Sequence, residues 1–230
     1  MHKQFTPEEQ IRRAFDMIQI KNVMARHAYL HAASRHDIEY ALLWSHDQEN
    51  ISWGNMMGFP MIGQKAIWEG YVEPHVGVQS QKGMAFMHTL TTPLIEVAAD
   101  GKTAQAMWYT PGYGTGPEGG PNAKEGAPMS GEWMYERYAV DFVFENGGWK
   151  IWHFFVGTDF SFPAGSVYDE KAMPPPQVEK KITKEAVVIP GFYTSKYNWH
   201  PFPRWPRPYD TWTPEIGYGP ELYLKEVEEA

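Results

Sequence analysis

The chain contains no cysteine among its 230 residues. That absence removes disulfides, thiolate nucleophiles and cysteine-ligated metals from consideration. Positive charge is also scarce: 20 Lys and Arg stand against 28 Asp and Glu, a formal net charge of −8 at pH 7. A phosphate backbone finds no electrostatic footprint here, so nucleic acid is not an expected partner. No apolar run reaches membrane length and no leader-like stretch opens the chain, so no membrane partner is expected and the expected location is cytoplasmic. There is no nucleotide fingerprint, no Gly-x-Ser-x-Gly elbow and no internal repeat. His-Glu-x-x-His is missing, as is any carboxylate grouping of ligand type. The expectation is therefore no cofactor and no metal, although a metal on His27, His31 and His88 is chemically conceivable.

What is present is a globular composition, 43% hydrophobic and 21% charged, with ample material for a core. The unusual figure is 15% aromatic, including ten Trp. Aromatic side chains at that density suggest a pocket for flat apolar ligands, a large interface, or both.

Thr6-Pro7-Glu8-Glu9 reads as a helix start, with Thr6 as N-cap, Pro7 in the first turn and Glu9 completing a capping box. Ile11, Phe15, Ile18, Val23 and Leu30 recur at roughly helical spacing. They predict a helix to about Ser34, with a shorter one from Asp37 through Leu43. Glu49 to Gly54 reads as a strand and Phe59 to Gly63 as its short return, before a helix through about Val72. Trp53 alternates with Ile51 and is a candidate for a pocket mouth or for core packing.

Met84 to Tyr109 reads as two strands turned at Ala99-Asp100-Gly101-Lys102. His88 lies in the first of them and shares a face with Phe86 and Leu90; an ionisable ring on an apolar face needs a partner or a purpose. Residues 111–131 carry seven Gly and four Pro, which predicts that the strand ends there. A lid near the pocket is the preferred reading of this loop, with a disordered insertion as the alternative.

Glu132 to Phe144 and Trp149 to Phe160 form a second predicted hairpin, turned at Asn146-Gly147. One face carries Met134, Tyr138, Val140 and Phe142; the other carries Tyr135, Arg137 and Asp141. His153 alternates with Ile151 and Phe155, either as a satisfied core histidine or as a pocket residue. Residues 163–220 then hold eleven Pro, and Phe192 to Tyr223 hold ten aromatics. Proline at that frequency forbids regular structure, and aromatics at that frequency are costly in water. The predicted solution is an extended polyproline-like arm laid on the main domain or on a neighbouring subunit.

Two runs carry a family resemblance. His88 with Thr91-Thr92-Pro93-Leu94-Ile95-Glu96-Val97, Asp100-Gly101 and Tyr109 resembles the central hairpin of SnoaL-like proteins of the NTF2-like superfamily. Tyr138-Ala139-Val140-Asp141-Phe142 through Gly148-Trp149-Lys150-Ile151, with His153 beyond, resembles their last two strands. The resemblance implies an α+β fold, a cone-shaped barrel whose curved, mostly antiparallel sheet wraps a long N-terminal helix. Residues 1–160 would form that domain and residues 161–230 the arm.

The family commonly carries Arg-Tyr at the end of the first helix and an Asp five residues after the Tyr. Here Arg26-His27 occupies the pair and Ala32 the Asp position, so the usual acid/base pair is absent. Helical geometry offers His31 instead, four residues after His27 and on a compatible face.

By this resemblance the expected catalytic residues are His88, His27, His31 and Tyr138. The expected substrate-binding residues are Trp53, Phe86, Trp108, Tyr109, Phe142 and His153. The expected activity is a cofactor-independent elimination, losing water or formaldehyde, on a bulky aromatic hydroxylated small molecule such as a lignin-derived diaryl compound. A homodimer or higher homo-oligomer is expected. The alternatives are a non-catalytic binding or assembly module and the small subunit of a ring-hydroxylating oxygenase.

Overall fold

A computed structural model of the chain describes residues 4–55, 60–165 and 203–222. Much of the predicted arm, residues 166–202 and 223–230, lies outside the described residues.

Helix α1 (Pro7–Ala32) starts on the capping box read from sequence: Thr6 Oγ1 accepts from Glu9 N at 3.3 Å and Glu9 Oε2 accepts from Thr6 N at 2.9 Å. Its buried face differs from the expected one. Asp16, Ile20, Val23, Met24, His27 and His31 point inward, while Ile11, Phe15 and Ile18 are more than half exposed. The apolar spacing alone misphased the helix, because its inward stripe contains one Asp and two His that each have partners inside.

Helix α2 (His36–Leu43) follows, then β1 (Ser52–Asn55), β2 (Met61–Ile62) and three short helical pieces. These are α3 (Gln64–Ile67), a π turn at Trp68–Val72, and α4 (Glu73–Gln79). The helical segment thus runs well beyond the expected end near Val72.

The sheet is mixed and has the order β2-β1-β7-β6-β5-β3, with β4 also on β5. Its long members are β5 (Thr103–Pro117), β6 (Met129–Glu145) and β7 (Gly148–Pro163). Strand β1 pairs with β7 in parallel and the other pairings are antiparallel. The predicted first strand of the central hairpin is broken into β3 (Ala85–His88) and β4 (Thr91–Val97), both paired to β5. The break coincides with a positive φ of 45° at Thr92 and a register shift at Pro93, which has no N–H for the ladder. Asn146 and Gly147, both at positive φ, turn β6 into β7 as expected. Among the described residues no helix is long and apolar enough to cross a membrane.

The glycine-rich stretch corrects the expectation of a long lid. Residues 111–117 continue β5, β6 begins at Met129, and the connection between them is residues 118–128. The glycines are strand residues for a packing reason. Gly112 and Gly114 lie opposite His88 and Phe86 of β3. A Cβ on Gly112 would stand 2.7 Å from His88 Nδ1 and from Met87 O, and one on Gly114 would stand 2.9 Å from the Phe86 ring. The bare backbone forms a trough in which these two side chains lie, so loss of strand propensity is the condition for placing them.

Inner-face side chains of the sheet pack against α1, α2 and the π turn around Trp44, Phe142, Phe154, Ile20 and Ile51. Residues 203–222 lie against the outer face. Tyr218 N donates to Asp141 Oδ2 at 2.6 Å, Gln105 Nε2 donates to Ile216 O at 2.6 Å, and Trp212 packs 4.4 Å from Trp152.

Gly112→Ala is expected to destabilise the fold by about 1–3 kcal/mol, because the clash involves the Met87 carbonyl as well as a side chain. Gly148→Ala, with nothing within 4 Å of its Cβ, is expected to change stability by less than about 0.5 kcal/mol. Urea unfolding of the two variants checks this; equal midpoints would refute the trough.

Candidate active site

Five of the nine histidines meet between the helix layer and the sheet, and four of them line a cavity of about 180 Å³. Helix α1 brings His27 and His31, one turn apart on its inward face. Helix α4 brings His75, β3 brings His88, and β6 brings Glu136 and Tyr138. Trp53, Tyr71, Phe86, Phe154 and Val156 complete an aromatic and aliphatic wall. His36, the fifth histidine, stands behind His31 and is fully buried.

The helix side is organised by Glu39, which has no exposed surface. Its carboxylate accepts from Trp44 Nε1 at 3.1 Å and from Tyr71 Oη at 3.1 Å, and His27 Nδ1 stands 3.1 Å from Oε1. Burial alone would raise the Glu39 carboxyl, but the charge and hydrogen bonding of His27, aided by His36 and Trp44, hold it below its ordinary value. An ionised Glu39 draws the Nδ1 proton of His27 towards itself and leaves Nε2 as the other working atom of that ring. The contact is off the line of a well-aligned N–H bond, so charge attraction carries it.

The sheet side has the opposite electrostatics. Glu136 Oε2 is 3.2 Å from His88 Nδ1 and its carboxylate accepts from Thr158 Oγ1 at 3.0 Å. Burial pushes the Glu136 carboxyl up to about 7, and burial with the nearby His27 charge pushes His88 down to about 4. Between about pH 4 and 7 the two therefore meet as a carboxylic acid and a neutral imidazole. Burial also holds His31 well below 6.5, with repulsion from the other four imidazoles adding to it. His36 is pushed down to about 4 and His75 is lowered, burial being the main cause for both. Tyr71 and Tyr138 are driven well above their ordinary value by burial and by carboxylates nearby, so both are O–H donors.

Of the residues expected from sequence, His27, His31, His88, Tyr138, Trp53 and Phe86 line the cavity. The other four do not. Trp108 and Phe142 are on the inner face but sit in the solid core, packed edge to face at 6.4 Å. Tyr109 pairs with Arg137 across the ladder and is 43% exposed on the outer face. His153 is also on the outer face, because a register shift after Ile151 inserts an extra residue and reverses the alternation. There its Nδ1 is 2.9 Å from Asp141 Oδ2, under Trp212 and Gly219.

Sequence reasoning missed His36, Glu39, His75 and Glu136. The i, i+3 spacing of His36 and Glu39 on a short helix was one available signal. Glu136 lies between Met134 and Tyr138 at a period of two, which was another. His75 offered none. Among the described residues no group of three or more His, Asp or Glu has an arrangement suited to holding a metal ion.

The family model of the SnoaL-like domain matches residues 12–154. The chain belongs to the SnoaL-like family. Several solved structures share the NTF2-like fold. The hexachlorocyclohexane dehydrochlorinase LinA-type3 from Novosphingobium barchaimii is 14% identical, over 72% of this chain and 99% of its own, with a TM-score of 0.50. A dehydratase candidate of the NTF2-like family from Streptomyces avermitilis is 15% identical, over 64% of this chain and 99% of its own, at 0.51. A scytalone dehydratase candidate from Novosphingobium aromaticivorans is 15% identical, over 68% and 97%, at 0.51. Among curated proteins none matches the chain by sequence. In this SnoaL-like chain the sheet is mixed and curved and the helices are few.

The site makes stability depend on pH. Unfolded imidazoles titrate near 6.5, whereas His36 and His88 are held at about 4 and His31 and His75 are lowered. Unfolding between pH 4 and 6.5 therefore takes up protons at four histidines. It releases one at Glu136, whose folded value is raised. The unfolded state binds more protons over that window, so stability rises with pH through it. Each proton taken up on unfolding changes stability by about 1.4 kcal/mol for every pH unit crossed. The fold is therefore expected to be several kcal/mol less stable at pH 5 than at pH 7, with a melting temperature lower by about 10 °C. Calorimetry at the two pH values checks this, and an equal or higher melting temperature at pH 5 would refute it.

Proposed function

We propose that the chain is a cofactor-independent lyase that eliminates water or formaldehyde from a hydroxylated aromatic small molecule by acid/base chemistry. The observation carrying this reading is the pair of carboxyl–imidazole units facing one aromatic-walled cavity in opposite charge states. His27 is backed by ionised Glu39, and His88 is backed by Glu136 with its carboxyl at about 7. Two titratable pairs driven apart by their environments are what an elimination needs, since one proton must leave and another must arrive.

In the dehydration, His27 Nε2 takes the proton from carbon, the electron pair forms the double bond, and the hydroxyl leaves as water with a proton from His88 Nε2–H as the protonated Glu136 carboxyl replaces it at His88 Nδ1, so that His88 stays neutral and Glu136 becomes the carboxylate. In the formaldehyde-releasing form, the proton comes from a hydroxymethyl group. The carbon–carbon bond breaks to release formaldehyde, its electron pair becomes the new double bond, and a neighbouring hydroxyl departs as water. A lignin-derived diaryl compound would yield a stilbene in this way.

The cavity is close in size to an engineered apolar cavity of about 150 Å³ that accepts benzene, so it suits one aryl ring with the reacting carbon. A second ring would lie at the mouth near Trp53 and Phe86. Among the described residues no Lys or Arg lines it, which favours an uncharged phenol or alcohol over a carboxylate. In this reading residues 1–160 are the catalytic unit. The contacts of residues 203–222 with the outer face support an arm laid on its own subunit.

Mass spectrometry of the protein with a panel of hydroxylated steroids, polyketides and diaryl propanoids tests the reading. One class is expected to lose about 18 or 30 mass units or both, the masses of water and formaldehyde. His88→Ala and His27→Ala are each expected to slow it about 10²–10⁴-fold in protein that still folds, with His27→Ala melting lower because the buried Glu39 carboxylate loses a partner. Full activity in both variants, or no turnover and no ligand-induced stabilisation with any member, would refute it.

A further inference from the structure

Behind the cavity, His31 Nδ1 and His36 Nε2 are 2.8 Å apart in a buried hydrogen bond. We propose that His36 is a positioning residue: it donates Nε2–H to His31 Nδ1 and so fixes His31 in the tautomer that presents Nε2–H to the substrate.

Both rings are neutral near pH 7, since burial lowers each of them. A neutral imidazole carries one proton, so the shared bond admits two arrangements. If His31 donated, its Nε2 would be a bare lone pair and His36 would keep its proton on Nδ1. That atom has no partner and belongs to a ring with no exposed surface. His36 does not line the cavity; it is wedged between the Tyr71 ring at 5.1 Å and His75 at 4.6 Å. An N–H stranded in dry packing is the costlier defect, because a buried donor loses the whole of its hydration with nothing in return.

If His36 donates, the stranded atom on His36 is only a lone pair, and the unpartnered N–H moves to His31 Nε2. His31 Nε2, like His36 Nδ1, has no partner and almost no exposed surface, but its ring stands in the cavity wall and is 8% exposed, whereas the His36 ring is off the cavity and has no exposed surface. A small turn of the His31 ring brings that donor to a substrate oxygen in the cavity; no such movement opens His36 Nδ1. The second arrangement is therefore the one the packing selects.

The consequence deepens the lyase reading and rests on it for its catalytic meaning. A fixed donor at His31 Nε2 would hold the oxygen on which negative charge develops, phenolate or enolate, without itself exchanging a proton. His27 and His88 are then left as the proton-transferring pair. This separates the two α1 histidines by role: one is oriented by a carboxylate to accept, the other by an imidazole to donate.

The tautomer can be read without any substrate, so its failure and the failure of the lyase assignment are distinguishable. Long-range ¹H–¹⁵N correlation spectra of the full-length protein at pH 7, with His31 assigned by its disappearance in His31→Gln, report which ring nitrogen is protonated. The expected result is a pyrrole-type Nε2 and a pyridine-type Nδ1 for His31, retained in His36→Gln, whose amide N–H can replace the donor. In His36→Met, whose thioether has no proton to donate, the His31 proton is expected to move to Nδ1. Turnover is expected to fall about 10²–10³-fold there, the usual cost of losing one such donor, while His36→Gln stays within about tenfold of the wild type. A wild-type His31 protonated on Nδ1, or a tautomer that survives His36→Met in a folded chain, would overturn the proposal. If His36→Met does not fold, the wild-type and His36→Gln spectra decide it alone.

Discussion

The Glu39 carboxylate is an ion with no contact with water, in a place where an unpaired charge would cost several kcal/mol. What offsets that cost comes from three separate segments: His27 of α1, Trp44 just beyond α2, and Tyr71 of the π turn. Trp44 is five residues from Glu39 at the end of the same helix, but His27 and Tyr71 come from other elements, so the charge is fully accommodated only when the helix layer is assembled. The same assembly sets His31 and His36 side by side and brings His75 over them. The chemistry of the cavity is thus a by-product of how one buried charge is accommodated.

Across the cavity, Glu136 solves the same desolvation problem in the other way. It has Thr158 and His88 for company, and the charges of Glu132 and Asp159 add to the effect of burial, so the protonated acid is favoured. One carboxyl is kept ionised by its partners and the other kept neutral by their lack, within a single pocket. Such a contrast needs no unusual residue type. It needs two glutamates placed in environments that differ in donors and in charge.

The sheet contributes through an economy of side chains. Gly112 and Gly114 remove the Cβ atoms that would displace His88 and Phe86, and so the sheet side of the cavity is set by residues that carry no side chain of their own. On the outer face, Asp141 holds His153, Gln105 and the Tyr218 amide. There a carboxylate and a histidine serve the docking of residues 203–222, and the resemblance of that pair to the inner-face pairs is one of residue type only.

Local signals survived folding intact. The capping box at Thr6 and Glu9, the Asn146-Gly147 turn and the run of the second hairpin depend on neighbours in the chain, and the structure places each where the sequence puts it; the first strand of the central hairpin is instead broken before Leu94. The family could be read from the same runs, and so could six of the cavity residues. The inward phase of α1 could not, since its stripe is defined by partners for Asp16, His27 and His31 that lie far along the chain. Nor could the continuation of β5 through its glycines, which rests on the side chains of β3 opposite. A single extra residue in β7 moved His153 to the other face, because a strand's alternation has a period of two and any insertion inverts it. His36, Glu39, His75 and Glu136 became a site only through tertiary contact. By itself the chain determined its elements and its family; the meeting of charges in a dry interior, which depends on distances between segments remote in sequence, decided its chemistry.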